Sequence, residues 1–268
     1  MAISSVAHYL EAAKQSIRIF TPTMAVSGEL ARSWKVFFLP ASIGNTANGV
    51  VPVDASTVGG FDHPTINAFG AGAMGYLTRV RHIDRGGCLR IRLFDRLFAA
   101  GAFGAMSNVA LTLQPSFAAR VPGGNYIGLE LWVEQVTASG MANTVTVDYL
   151  NESAVAKQTT ISIPSTYVAG SFIQMPLASG DSGVSKITNV QNLLGSVNVD
   201  ILRPLWDGKP FIGSNAAGSL TMDEGRFSPI EVGFVEVFDT TALFTIMAKD
   251  TNAASAFYVD FGVEIANR

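Results

Sequence analysis

Three short stretches of this sequence carry residue types and spacings that could do chemistry. In "GAGAMG", Gly70, Gly72 and Gly75 stand at G-x-G-x-x-G spacing and Asp95 lies twenty residues further on. In a dinucleotide site such glycines let a pyrophosphate approach the backbone at a helix N-terminus, while the acid holds a ribose. That chemistry needs a buried strand before the glycines and a helix after them. Here "HPTINAF" is a poor strand and "YLTRVRHI" alternates at period two, so the spacing predicts a loop and no cofactor.

"GDSGV", residues 180–184, places Ser182 as serine proteases place a nucleophile. The mechanism needs a histidine base and an orienting aspartate. The three histidines, His8, His63 and His82, sit in no matching setting, and Val184 stands where that loop carries glycine. A turn is expected instead. Asp223 and Glu224 in "TMDEGRF", with His63 or His82, are the remaining acid-base or metal candidates. No H-x-x-x-H or C-x-x-C pairing accompanies them, and the segment reads as an exposed turn. The expectation is a protein with no catalytic residues, no metal and no cofactor.

The densest chemical feature is electrostatic. Residues 75–98 hold six arginines, a third of the 18 Lys and Arg of the chain. If "DRGG" closes an even-membered hairpin, Ile83 faces Cys88, Arg81 faces Arg90 and Arg79 faces Arg92, with all four guanidinium groups on one side. Val80, His82, Leu89, Ile91 and Leu93 then form an apolar reverse face. Like charges facing across strands cost stability, so carboxylates of this chain or of a neighbour should cover them. A one-residue bulge at Gly86 or Gly87 would instead pair Arg90 with His82 and Arg92 with Val80, and a solvated basic face is the simpler alternative. Arg79, Arg81, Arg90 and Arg92 are the interface candidates. Trp206 in "RPLWDGKPF" joins them as the tryptophan best placed for exposure, although Pro-flanked aromatics usually anchor loops.

The elements that must position these residues read as β-structure. Of 268 residues, 48% are apolar, only 15% are charged and 26 are glycine. This composition favours strands and tight turns around a sizeable core. A formal charge of −3 argues against a dedicated nucleic-acid binder. The lone Cys88 cannot form an intrachain disulfide, which suits a reducing compartment. No signal-like or membrane-spanning apolar run is visible. Val6, Tyr9, Leu10, Ala13 and Ile17 predict one N-terminal helix beginning at Ser4 or Ser5. After "WKVFFLP", residues 41–75 read as a loop-like tract, so residues 1–75 form a helix and extended arm. From Tyr76 about eleven alternating runs follow, the clearest being "AFYVDFGVEI". Without a βαβ rhythm, residues 76–268 predict an antiparallel, jelly-roll-like β-sandwich. Residues 1–150 carry 11 basic and 9 acidic groups, whereas residues 151–268 carry 7 and 12, a complementarity suited to subunit contacts.

At "LFDRLFAAGAF", "GLELWVEQVTASG", "TVTVDYLNESAVAKQTTISIP" and "LASGDSGVSKITNV…ILRPLW", the chain resembles a family of tailed-bacteriophage virion structural proteins. The likeness runs from about Ala7 through "GVVPVDA" and "INAFGAGAMGYLTRV" to the C-terminal strands. Where family members carry Asp-Arg-Leu-Trp, this chain has Phe98. The resemblance implies a component of the particle without fixing its place on it; taken with the β-rich body and the extended arm, the expectation is a capsid decoration or cement protein, homotrimeric, bound non-covalently to the major capsid protein on the virion surface and assembled in the host cytoplasm. From the apolar-run pattern and the net charge, no membrane and no direct nucleic-acid contact are expected. A tail, spike-base or fibre-base component and a carbohydrate-binding adhesion module are the alternatives.

Overall fold

Alternation of apolar and polar residues sets the architecture, because a strand with one wet face must cover its other face with a second layer. A computed structural model describes residues 7, 12–24, 34–36, 47–53, 66–85, 88–167, 169–208, 220–226, 235–249 and 257–267. Among these lie fifteen strands: β1 (Ala13–Met24), β2 (Trp34–Val36), β3 (Gly75–Arg85), β4 (Cys88–Phe103), β5 (Ser107–Ala110), β6 (Glu130–Thr137), β7 (Asn143–Asn151), β8 (Ala156–Ile163), β9 (Ser171–Gln174), β10 (Val184–Asn192), β11 (Ser196–Asp207), β12 (Leu220–Arg226), β13 (Val235–Val237), β14 (Leu243–Lys249) and β15 (Phe257–Asn267). Every recorded pairing between them is antiparallel. The chain is mainly β and sandwich-like, as its alternation predicts.

Three sheets result. Strands β11, β4, β14, β2, β9 and β6 close into a six-stranded barrel, β5-β10-β7-β8 form a four-stranded partner layer, and β1-β15-β3-β12 form a third sheet with β13 alongside β3. The main core lies between the partner layer and the barrel wall. Val145, Val147 and Tyr149 of β7 and Val184, Ile187 and Val190 of β10 meet Leu131, Val133, Val197, Val199 and Ile201, all essentially inaccessible. Each such side chain contributes about 2 kcal/mol by leaving water. A second apolar cluster, Phe94, Trp132, Phe172, Leu202, Phe244 and Ile246, fills the barrel interior. There Phe172 meets Phe244 at 5.5 Å and Phe94 meets Trp132 edge-on at 5.9 Å.

Four expectations change. Ala13–Ile17, read as the end of a helix, begins β1, whose ladder runs from Ala13 opposite Asn267 to Thr21 opposite Val259. Ala7 is helical, but from Ala13 the partner strand outweighs local helical spacing. "TMDEGRF", read as a turn, lies largely in β12 and pairs with β3. The "DRGG" hairpin does not form a ribbon, because β3 is zipped between β15 and β12 while β4 runs between β11 and β14. Trp206 sits within β11 opposite Leu93, half-buried, and not on a loop. The turn reading of residues 180–184 holds, since the Asp181 amide donates to the Ala178 carbonyl. The "GAGAMG" tract is likewise a turn, closed from the Ala73 amide to the Gly70 carbonyl and followed by strand.

The described parts of residues 1–75 are fastened to the body. β1 adds to β15, and β2 completes the barrel. The Val50 amide donates to the Ala99 carbonyl at 2.8 Å and the Ala99 amide returns the bond at 3.0 Å. Beside this clasp Gly49 has φ +70, and a β-carbon there would stand 2.2 Å from the Phe98 ring. Gly49→Ala therefore combines backbone strain with overpacking and should lower stability by about 2 kcal/mol, read as a reduced urea midpoint at unchanged slope. An unchanged midpoint would mean that residues 47–53 do not rest on β4.

Candidate assembly interface and buried ion network

Of the arginines nominated from the sequence, the two whose side chains are described, Arg79 and Arg92, lie in different sheets and have separate partners. Arg79 of β3 bonds Glu264 of β15 at 3.1 Å, both half-exposed. Arg92 of β4 is buried, gripped by Glu130 through two bonds of 2.6 and 3.0 Å, with Asp207 at 3.4 Å. Its guanidinium stacks 4.7 Å from the Phe94 ring centre and 5.8 Å from that of Trp132. The indole N–H of Trp132 also donates to Glu130, at 2.8 Å. The carboxylates expected to cover the arginines are thus supplied, for Arg79 and Arg92, by this chain. For Arg81 and Arg90 the backbone is placed in β3 and β4, and their side chains lie outside the described residues. Cys88, His82 and Trp34 are placed in the same way, while His8 and His63 fall outside the described residues.

The strongest electrostatics lie where charge interrupts apolar strands. Successive residues of β4 point to opposite faces, so Asp95 and Arg96 serve two separate clusters. Asp95, fully buried, faces outward from the barrel. It accepts from the guanidinium of Arg203 at 3.2 Å, the Thr241 hydroxyl at 3.2 Å and the Ala242 amide at 3.1 Å, and pairs with Arg120 at 3.2 Å. Arg120 donates on to the carbonyls of Pro52, Thr240 and Arg96, while Arg203 donates to the carbonyl of Glu236. Burial lowers the Arg120 pKa against the attraction of Asp95, which is what a guanidinium held by a single buried counter-charge should show. One carboxylate thereby ties together the barrel wall, the 3-10 turn Ala118–Arg120, the 47–53 segment and the turn before β14.

Arg96 faces into the barrel. Its Nε donates to Asp200 of β11 at 2.7 Å, and its cationic plane lies 4.8 Å from the Phe244 ring centre. Glu134 of β6 joins through Asn198, whose amide donates at 2.8 Å. Two carboxylates thus share one guanidinium in an apolar enclosure. Burial raises Glu134 to about 7 and Asp200 to about 6, with Arg96 pulling both back. At pH values between their unfolded and folded pKa values these acids hold protons in the folded state that they release when unfolded. Stability from them is therefore greatest below their unfolded pKa values and falls as pH rises toward 7. In E134Q the Glu134 share of that slope, about 3 kcal/mol at most, should vanish between pH 5 and 7. Urea denaturation at pH 5, 6 and 7 measures it, and identical slopes in E134Q and the natural sequence would refute a buried, protonated Glu134.

An open groove of about 530 Å³ runs between residues 128–131, 174–177 and 181–182. Its two carboxylates are already engaged. Glu130 holds Arg92, and Asp181 accepts from the Tyr149 hydroxyl at 2.6 Å and the Asn151 amide at 2.9 Å. The Tyr149 bond is the main reason that the Asp181 pKa lies below the usual range. Nothing in the groove assembles a nucleophile beside a base. Among the described residues, no group of three or more His, Cys, Asp or Glu is arranged to hold a metal ion, and no helix is long and apolar enough to cross a membrane.

The ion network was missed by motif reading, yet it left a signal. "LFDRLF", "LWVEQV" and "VNVDILRP" each set charge inside an otherwise apolar run, which is the pattern of a strand buried on both faces.

No protein-family model matches the chain, and no curated protein matches it in sequence. Solved structures give weak similarity to viral capsid proteins. A mutant VP2 protein of infectious bursal disease virus from derived T=1 particles is 10% identical, aligned over 95% of this chain and 78% of that one, with a TM-score of 0.20. Infectious bursal disease virus of the Gx strain gives 11% identity, 96% and 81% coverage and a TM-score of 0.21. The unassembled VP1 pentamer of Merkel cell polyomavirus gives 10% identity, 96% and 77% coverage and a TM-score of 0.14.

Proposed function

We propose that this chain is a structural protein of a bacteriophage virion, a decoration or cement protein that stabilises the head by non-covalent contact with the major capsid protein and with its own copies. The observation that carries this reading is the resemblance centred on "LFDRLFAAGAF", considered with what that segment does in the fold. Asp95 and Arg96 of the segment are the hubs of both buried clusters. Two of the residues that carry the likeness thus cross-link buried strands of the body. A lattice component needs stiffness, since binding surfaces that are already ordered lose less entropy on assembly. The reading is one of binding without catalysis, with no cofactor, on the outer surface of a particle assembled in the host cytoplasm.

Electron microscopy of purified particles tests it. Density for this chain at regular points over the head shell, in hundreds of copies, is the expected result. A few copies at the tail or a fibre base would replace the head assignment, and absence from the particle would end the virion reading. A carbohydrate-binding role draws less support. Trp132 is wholly buried and Trp206 half-buried, so neither offers the open aromatic face that stacks on a sugar.

A further inference from the structure

One end of the sandwich gathers half of the large apolar side chains that stand exposed among the described residues. It is built from the β4–β5, β6–β7 and β10–β11 turns, and none of residues 104–110, 137–143 or 192–196 carries an ionisable side chain. On it stand Met106, 79% exposed, Met141, 63%, and Leu193, 47%. The turns touch one another: the Met106 amide donates to the Leu193 carbonyl, the Leu193 amide to the Thr144 carbonyl, and the Thr137 and Ser196 hydroxyls meet at 2.9 Å. The opposite end sets one exposed apolar side chain, Val155, among the charged Glu152, Lys157 and Asp181.

This apolar end is held from beneath. Asn143 and Asn192, both fully buried, join amide to amide at 2.8 Å. Asn192 donates also to the carbonyls of Phe103, Gly104 and Gly195, and Asn143 accepts from the Leu194 amide at 2.8 Å. A single amide pair therefore pins all three turns. Met106 itself lies at φ +58, a region that a non-glycine residue occupies only where its surroundings impose it. Rigid backbone beneath exposed, adaptable methionines suits a contact surface.

We infer that this tip meets a second copy of the same chain. In a contact across a two-fold axis the same patch meets itself, so a tip carrying charge of one sign would repel its copy whereas an uncharged one does not. A lipid surface fits less well, because the tip offers no Lys or Arg for headgroups and no Trp or Tyr for the interface. Three side chains fall short of the roughly 800 Å² per partner of a stable dimer, so the contact is weak alone and gains from repetition in a lattice. The inference rests on the reading of the chain as a self-associating assembly protein, and names the surface that does so.

Sedimentation velocity of the full chain over rising concentration tests it, with M106D, L193D and, as the control at the opposite end, V155D, whose site is 51% exposed. Near-UV circular dichroism verifies folding, and M106S serves if an aspartate variant fails to fold. The unaltered chain and V155D should associate with concentration, while the tip variants weaken association by about tenfold or more. Association retained in both tip variants would leave self-assembly standing and overturn this surface. A chain that stays monomeric throughout would overturn both. Co-sedimentation with phosphatidylcholine vesicles that M106D abolishes would assign the tip to lipid instead.

Discussion

Asp95→Ala should cost about 3–5 kcal/mol, a large share of the 5–15 kcal/mol that holds an ordinary domain together. The expected result follows from what the substitution leaves behind. Arg120 is 3% exposed and Arg203 is 7% exposed, and both face the same carboxylate. Without it, two guanidinium groups remain buried beside each other with no counter-charge, and the Thr241 hydroxyl and Ala242 amide lose their acceptor. Asp95→Asn, which keeps an acceptor but not the charge, should lose less. Denaturant midpoints give the size of the effect. Hydrogen exchange gives its location, since amides of the 47–53 clasp and the turn before β14 should lose protection before those of β7 and β10. A loss under 1 kcal/mol for the alanine variant would show that Asp95 is not the hub.

Arg96→Met is the second large effect, and its sign depends on pH. Arg96 is the cation that holds both Glu134 and Asp200 down against burial. Removing it at pH 8 leaves two carboxylates to be buried charged, or protonated at a pH that opposes it, at a cost of about 3–5 kcal/mol. Both acids have folded pKa values above their unfolded ones, so the penalty shrinks as pH falls through 7 and 6 toward 5 and both take up protons. The defect should accordingly be severe at pH 8 and mild at pH 5. Adding Asp200→Leu removes one of the stranded acids, and the double variant should recover much of the loss at pH 8. A defect of equal size at both pH values would show that Arg96 stabilises by packing on Phe244 and not by charge.

Neither cluster offers surface charge to a partner, which bears on how the protein can assemble. Arg79 and Arg92 are paired within the chain. What remains outward at the β4–β5, β6–β7 and β10–β11 turns is apolar and stiff, a surface suited to shape-matched contact with little electrostatic steering. Association through it should vary little with salt, whereas contact through an arginine ridge would weaken as salt rises.

Period-two alternation is a local property, so the strands from β3 onward were legible wherever one face of a strand is wet. Each of the eleven runs read from Tyr76 contains or overlaps a strand, and β7, whose odd-numbered residues are buried and even-numbered ones half-exposed, shows why. β1, β5 and β12 were not legible. Residues 13–17 fit a helical face equally well, "SNVA" is four residues long, and "TMDEGRF" has too little apolar content to announce a strand. Their backbones extend because β15, β10 and β3 present unfilled hydrogen-bond ladders, and those partners lie far away in sequence. The arginines followed the same logic. The sequence alone determined that so much like charge needed carboxylates nearby. Which ones came only with tertiary structure, because pairing Arg92 with Glu130, Arg96 with Asp200 and Asp95 with Arg120 and Arg203 depends on which strands become neighbours, and register across a sheet is a long-range choice.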